Sequence, residues 1–275
     1  MIILQAALTG ALVGGLYAVM AVGVSLSWGT LRIINLAHFG MIGLGGYLTL
    51  ELANRVGMDP LLTVLITAPL LFLLGALLQW LFQRFAVGEF NSLLISFGIL
   101  IVILQLISNV WSADFQRMGA EVNPYASGAL ALGPFAFPMP TLLAFGFALA
   151  IVAGAHLALT RTYAGRALRA FAEDRPIAAA FGIDHQRIGI LLSGLVGASA
   201  AVAGMLFAVG SSLTPSIPFE WFGVVFAIVI LGGIGNVIGT LLAGMLISVV
   251  SAVVSVVWTP AVAPFVVFSV VIAAL

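Results

Sequence analysis

The chain contains no cysteine and no lysine, and only 7% of its 275 residues are charged. Without cysteine there is no disulfide framework and no thiol chemistry, and the redox compartment leaves no mark. Without lysine the phosphate loop G-x-x-x-x-G-K-[ST] cannot be built. Any ATP-driven work must therefore take its nucleotide site from another chain. Neither H-E-x-x-H nor G-x-S-x-G occurs, so the helical zinc-protease and nucleophile-elbow signatures are missing as well. All nine basic residues are arginine, and nine acids balance them. A net charge of zero leaves no basic footprint for nucleic acid. The opening M-I-I-L-Q-A-A-L-T-G has no basic stretch ahead of its apolar run, so no cleaved leader is expected.

What is abundant is oil. The composition is 63% hydrophobic and the mean hydropathy is +1.28, where a soluble domain has about 45–50% apolar residues. Several runs reach the roughly 20 residues that cross a bilayer as helix. They lack the strict alternation of barrel strands. The sequence thus predicts an all-α, polytopic transmembrane bundle, one domain over 1–275, with spans near 5–29, 35–53, 60–83, 92–112, 139–160, 187–211, 219–234, 237–257 and 260–275. The run 219–234 gives a helix of only about 24 Å, short for a core of about 30 Å. Eight or nine crossings are both compatible with that. No arginine precedes the first span and Arg32 follows it. The excess of arginine on cytoplasmic loops then places the N-terminus outside. Arg32, Arg84 and every arginine from 161 to 187 fall inside, and Arg55 and Arg117 outside.

The window from Arg161 to Arg187 holds eight of the eighteen charged residues. Each charge at the membrane centre costs about 2.5–3.5 kcal/mol on insertion scales, so the window is an aqueous loop. Its residues predict short helices. Gly165 to Ala172 contains no breaker after its first residue, and Arg169 and Glu173 stand at i, i+4, where they can pair. Pro176 suits a helix start, and Gly182 stands where a C-cap glycine belongs. Between them Ile177, Ala178, Ala179, Ala180 and Phe181 form an apolar patch ringed by charge. An apolar centre with a polar rim is the composition of a protein interface. The alternative is a basic loop that only fixes topology.

Other polar residues stand out against the apolar background. Asn35 and His38 are read as opening the second span, three apart on one helix face, as functional candidates or as interfacial anchors. Ser96 and Gln105 in the fourth span could line a pathway or bond across helices. The stretch L-G-G-I-G-N-V-I-G at 231–239 falls short of a dinucleotide fingerprint, because no strand precedes it and position 238 is isoleucine. Its glycines, Gly233 and Gly235 among them, fit a hairpin turn or a hinge between two spans.

The window G-R-A-L-R-A-F-A-E-D-R-P-I-A-A-A-F-G-I-D resembles the cytoplasmic coupling segment of branched-chain amino acid ABC transporter permeases. The G-x-x-Y-A-x-x-A-x-G pattern of the first span, the N-x-A-H of the second and the G-G-I-G element are similar to that family too. One departure is local: where the family has glycine straight after the histidine, this chain has Phe39 and then Gly40. The resemblance implies an importer permease with no covalent chemistry of its own. It implies a segment docking on ATPase subunits through Arg166, Arg169, Glu173, Asp174, Ala179, Phe181, Gly182 and Ile183. Asn35, His38, Ser96, Gln105, Gly233 and Gly235 become pathway or gating candidates. The implied partners are a second related permease (a different chain, or a second copy), two cytoplasmic ATPase subunits and an extracellular or periplasmic solute-binding protein. ATP and magnesium would sit on the ATPases, and this chain would hold no cofactor. The implied location is the inner membrane of a bacterium or archaeon.

The near absence of acid or base within the spans suits a wide pathway whose specificity lies in the binding protein. Branched-chain amino acids, other amino acids, and urea or short amides stay open as cargo. A stand-alone channel or ion-coupled carrier is the rival reading, but such carriers bury ionisable groups for coupling. An intramembrane enzyme using His38 and Asn35 lacks a nucleophile or metal set beside them.

Overall fold

The structure, a computed structural model, describes residues 1–274. The side chains of Arg175, Pro176 and Ala274 lie outside the described residues, as does Leu275 at the end of the last expected span. Helix α1 (Ile2–Leu26) runs into a π segment (Ser27–Leu31). Then come α2 (Ala37–Val56), α3 (Val64–Arg84) and α4 (Glu89–Trp111). A hairpin of β1 (Ala129–Leu132) and β2 (Phe135–Pro138) precedes α5 (Met139–Arg161). The short helices α6 (Tyr163–Glu173) and α7 (Arg175–Ala180) lead to α8 (His185–Gly210), α9 (Ile217–Gly232), α10 (Val237–Val257) and α11 (Ala263–Ala274).

Among the described residues, six helical stretches are long and apolar enough to cross a membrane: α1 with its π segment, α3, α4, α5, α8 and α10. Helix α2 adds 20 residues, and α9 and α11 are shorter. Each expected span thus meets a helix, and the expected count of eight or nine is approximate. The short run near 219–234 is indeed a 16-residue helix. The antiparallel hairpin, with Leu132 opposite Phe135, was not foreseen. Its strands lie in the segment that leads from α4 to α5.

Small residues decide how the bundle closes. With lipid on the outside, helix association relies on close packing rather than on water exclusion. Gly14 of α1 lies against α10, where a Cβ would stand 2.6 Å from the Gly244 carbonyl oxygen. Gly197 of α8 meets the Leu71 carbonyl of α3, and Gly204 meets the Ile42 carbonyl of α2. These seams place α1, α2 and α8 innermost, with Ala18–Val22, Phe39–Ile42 and Ala203–Val209 buried between them.

Candidate functional site

The charged window folds through caps that lie within three residues of what they cap. Thr162 opens α6 by accepting the Gly165 N–H on Oγ1 at 3.0 Å. Asp174 opens α7 by accepting the Ile177 N–H on Oδ1 at 3.0 Å. Asp184 opens α8 by accepting the N–H groups of Gln186 and Arg187 at 3.1 and 3.2 Å. Side-chain acceptors at N-caps satisfy amides that a helix start leaves without partners. Gly182 closes α7 at φ +77°, and its N–H reaches the Ala179 carbonyl while that of Ile183 reaches Ala178. This is the left-handed C-terminal turn that glycine makes at least steric cost.

Helix α6 is two-faced at the helical period. Gly165, Ala167, Leu168 and Phe171 are buried, and Arg166, Arg169 and Glu173 face outward. The Phe171 ring stacks on His185 at 5.5 Å with 4° between planes. Arg32, just past the π segment, donates from Nη2 to the Ala172 carbonyl at 3.5 Å. The expected Arg169–Glu173 pair is not formed; among the described residues the ion pair of this window is Arg187–Asp184 at 2.9 Å. Both partners of the missing pair are in solvent, where such a bond is worth about 0–1 kcal/mol against the entropy of two long side chains. On α7, Ala178 is buried whereas Ile177 is 57% and Phe181 is 81% exposed. Ile183 packs partly against the protein's own core. The outward knob is therefore Ile177 and Phe181, with Ala179 beside them.

The pathway candidates do not converge. Asn35 is not on the second helix: it lies in the linker 32–36, because Arg32 turns the backbone to φ +52° and α2 begins only at Ala37. His38 is fully buried, with Nε2 3.1 Å from the Met20 carbonyl of α1. A carbonyl accepts only, so Nε2 carries the proton and donates. Ser96 holds the linker, accepting the Leu36 N–H at 3.0 Å and reaching the Ile34 carbonyl at 3.1 Å. Gln105 is exposed on α4 and donates to Asn109 Oδ1 at 3.0 Å. Gly233 and Gly235 turn the chain from α9 to α10 at φ +86° and +83°. Asn236 caps α10 through the Gly239 N–H at 3.0 Å.

Sequence reasoning missed the π segment. Its Gly29 lies against the Gly235 backbone so closely that a Cβ would stand 2.6 Å from the Gly235 nitrogen. The Gly235 N–H also donates to Ser25 Oγ at 3.0 Å. The one local hint was Gly29, a glycine inside a helical pattern, which often marks a close backbone approach. Arg32 thus links α6 to the π segment, and Gly29 links the π segment to the α9–α10 turn.

Residues 6–275 match the family described as "Branched-chain amino acid transport system / permease component". The chain is 27% identical over 250 residues to the high-affinity branched-chain amino acid transport system permease protein BraD of Pseudomonas aeruginosa, covering 85% of this chain and 80% of that one. It is 26% identical over 239 residues to the probable branched-chain amino acid transport permease protein LivH of Methanocaldococcus jannaschii, covering 84% and 74%. LivH of Escherichia coli K12 is 26% identical over 250 residues, covering 85% and 80%. No solved structure matches the chain. With helices fit to cross a membrane and a family match over nearly its whole length, the chain belongs to the permease components of branched-chain amino acid transport systems, as a membrane-embedded transporter part rather than an enzyme.

Proposed function

We propose that this permease forms one half of the membrane domain of a binding-protein-dependent ABC importer, and that it passes branched-chain or related amino acids inward by alternating access. The observation that carries the reading is the apolar knob of Ile177 and Phe181, held out in solvent by a capped and charged segment. Exposed large apolar groups inside a charged rim fit a protein partner. Two cytoplasmic ATPase subunits are that partner, and they carry the ATP and magnesium, while this chain holds no cofactor. The second half is a related permease, a different chain in the first instance and a second copy as the alternative. A solute-binding protein delivers cargo from outside. The arginine distribution supports an N-terminus outside and a cytoplasmic knob in the inner membrane of a bacterium or archaeon.

In this reading Phe181, with Ile177 and Ala179, contacts the ATPase. Arg166, Arg169 and Glu173 form the charged rim, and Asp174, Gly182 and Ile183 set the shape of the knob. Motion at the knob reaches the membrane through α6, the Arg32 contact, the π segment and the turn at Gly233 and Gly235. A packed bundle with two arrangements can be biased by a small displacement at such a link. His38, Asn35 and Ser96 hold the entry to α2 rather than touch cargo. Gln105 lies on an open face of α4, where its amide favours a second permease or a polar path over lipid.

The test is reconstitution with candidate ATPase subunits, comparing wild type with Ile177→Asp and Phe181→Asp combined. Loss of ATPase capture and of ATP-dependent uptake, with an unchanged elution profile of the permease, is the expected result. Retained capture and uptake would reduce the window to a topology device.

A further inference from the structure

On the side of the bundle where α6 packs, a cavity of about 470 Å³ opens between the end of the π segment, the C-terminus of α3, the start of α4 and the α6–α8 junction. That size lies within the range of small-molecule sites, about 300–1,000 Å³. Among the described residues its wall holds one guanidinium, Arg32, and one carboxylate, Glu89. Among the described residues neither is in an ion pair, and Arg32 spends one contact on the Ala172 carbonyl. Gln79 also lines the wall; its side chain is buried and takes the Ser193 hydroxyl on Oε1 at 3.1 Å. The apolar part of the lining comes from Ile33, Phe82 and Val87.

A second, independent feature marks the same place. Among the described residues three that are not glycine have positive φ, and two of them, Arg32 at +52° and Ala86 at +46°, line this cavity. Each costs of order 1–3 kcal/mol, and such strain collects at ligand clamps and switch regions. The π segment, a form frequent at functional sites, ends against it.

We propose that this cavity binds a free α-amino acid with an aliphatic side chain. Its carboxylate faces Arg32, its ammonium faces Glu89, and its side chain lies on Phe82, Ile33 and Val87. A ligand of a single sign would leave the charge of Arg32 or that of Glu89 without a counter-charge. The site rests on its lining alone. Its use rests on the importer reading: an amino acid accumulated in the cytoplasm would tie Arg32, which holds α6 at the Ala172 carbonyl, to α3 and α4, restrain the coupling segment, and damp further uptake.

The experiment is equilibrium binding of radiolabelled leucine to the purified full-length chain in nanodiscs, with leucinol and 4-methylpentanoate as competitors that each lack one charge. Saturable binding of one leucine per chain is expected, with each analogue weaker by about 10- to 100-fold, as for a lost charged hydrogen bond. Arg32→Gln is expected to erase the preference for leucine over leucinol, and Glu89→Gln the preference over 4-methylpentanoate. Absence of saturable leucine binding to folded wild-type chain overturns the proposal. So does leucine binding that neither variant alters, since that places the ligand elsewhere. Should Arg32→Gln not fold, the analogue series and Glu89→Gln still decide. ATPase capture measured on the same preparations separates the readings. Capture without leucine binding removes this site only, and leucine binding without capture removes the importer reading only.

Discussion

The contact between His38 and Gly23 makes a sharp test, because the same substitution should change sign with its background. His38 is fully buried where α2 crosses α1, and a Cβ on Gly23 would stand 2.6 Å from its Nε2. In Gly23→Ala the ring cannot leave, so the added methyl overpacks the crossing at a cost of about 1–3 kcal/mol. Helix propensity returns about 1 kcal/mol, leaving a net loss of up to about 2 kcal/mol. In His38→Ala the crossing loses a ring and a buried hydrogen bond, at about 2–5 kcal/mol. In the double variant the Gly23→Ala methyl enters vacated space, and only the propensity gain remains. Gly23→Ala is thus expected to lower the melting temperature with His38 present and to raise it with His38→Ala. Each kcal/mol corresponds to about 2–4 °C for a domain approaching this size. The assay is thermal unfolding followed by the fluorescence of the five tryptophans, since a chain without cysteine offers no thiol to a reactive dye. Additivity of the two changes within about 0.5 kcal/mol would refute the contact. It would also reopen His38 as a pathway residue, because a structural pin predicts that uptake falls in step with stability.

Glycines in different surroundings give opposite forecasts. Gly14→Ala pushes a methyl to 2.6 Å from a backbone carbonyl of α10 and should cost at least about 1–3 kcal/mol, read as a lower melting temperature. Gly146→Ala on α5 meets nothing within 4 Å, so its helix propensity should raise the melting temperature of the isolated chain by about 2–4 °C. Gly182→Ala also meets open space but sits at φ +77°. About 1–2 kcal/mol of local strain should fray α7 and weaken ATPase capture while the melting temperature holds, and Gly182→Asn should recover most of the loss. In the segment between α4 and α5, Tyr125 donates to Asp59 Oδ2 at 2.8 Å. Burial first, then this bond and the Asp59 charge, raise its pKa. The folded state therefore holds the phenolic proton more tightly than the unfolded one. Its contribution is intact below about pH 10, the unfolded value, and is lost as pH rises beyond it. Melting temperatures of wild type should fall more steeply than those of Tyr125→Phe above that pH; parallel curves would contradict the assignment.

Much of this protein was legible because its signals are local. Transfer of a residue from water to hydrocarbon is set largely by its own side chain, so the apolar runs announced every helix that could enter a membrane. Caps act within about three residues, so Gly182 as a helix end and the charged window as short helices could be read directly. Asp174 and Asp184 were counted there as charges, and the structure shows them as caps. What an exposed pair gains is smaller, which is why Arg169 and Glu173 pointed to a bond that does not form.

The remainder depended on which distant segments meet, and no local term encodes that. Asn35 and His38 share a spacing that suits one helix face, yet the left-handed turn at Arg32 put one in a linker and the other deep in a crossing. Ser96 became the clamp of that linker only because α4 lies beside it, 60 residues further along the chain. The sequence alone determined an all-α membrane bundle with a charged segment of short helices, since hydropathy and capping are properties of neighbours. Only the tertiary structure decided that Phe181 and Ile177 face outward while Ile183 turns in, that Gly29 meets Gly235, and that Arg32 and Glu89 share one cavity. Those arrangements come from backbone approach between elements far apart in the chain, where a missing Cβ or a single positive φ sets the geometry.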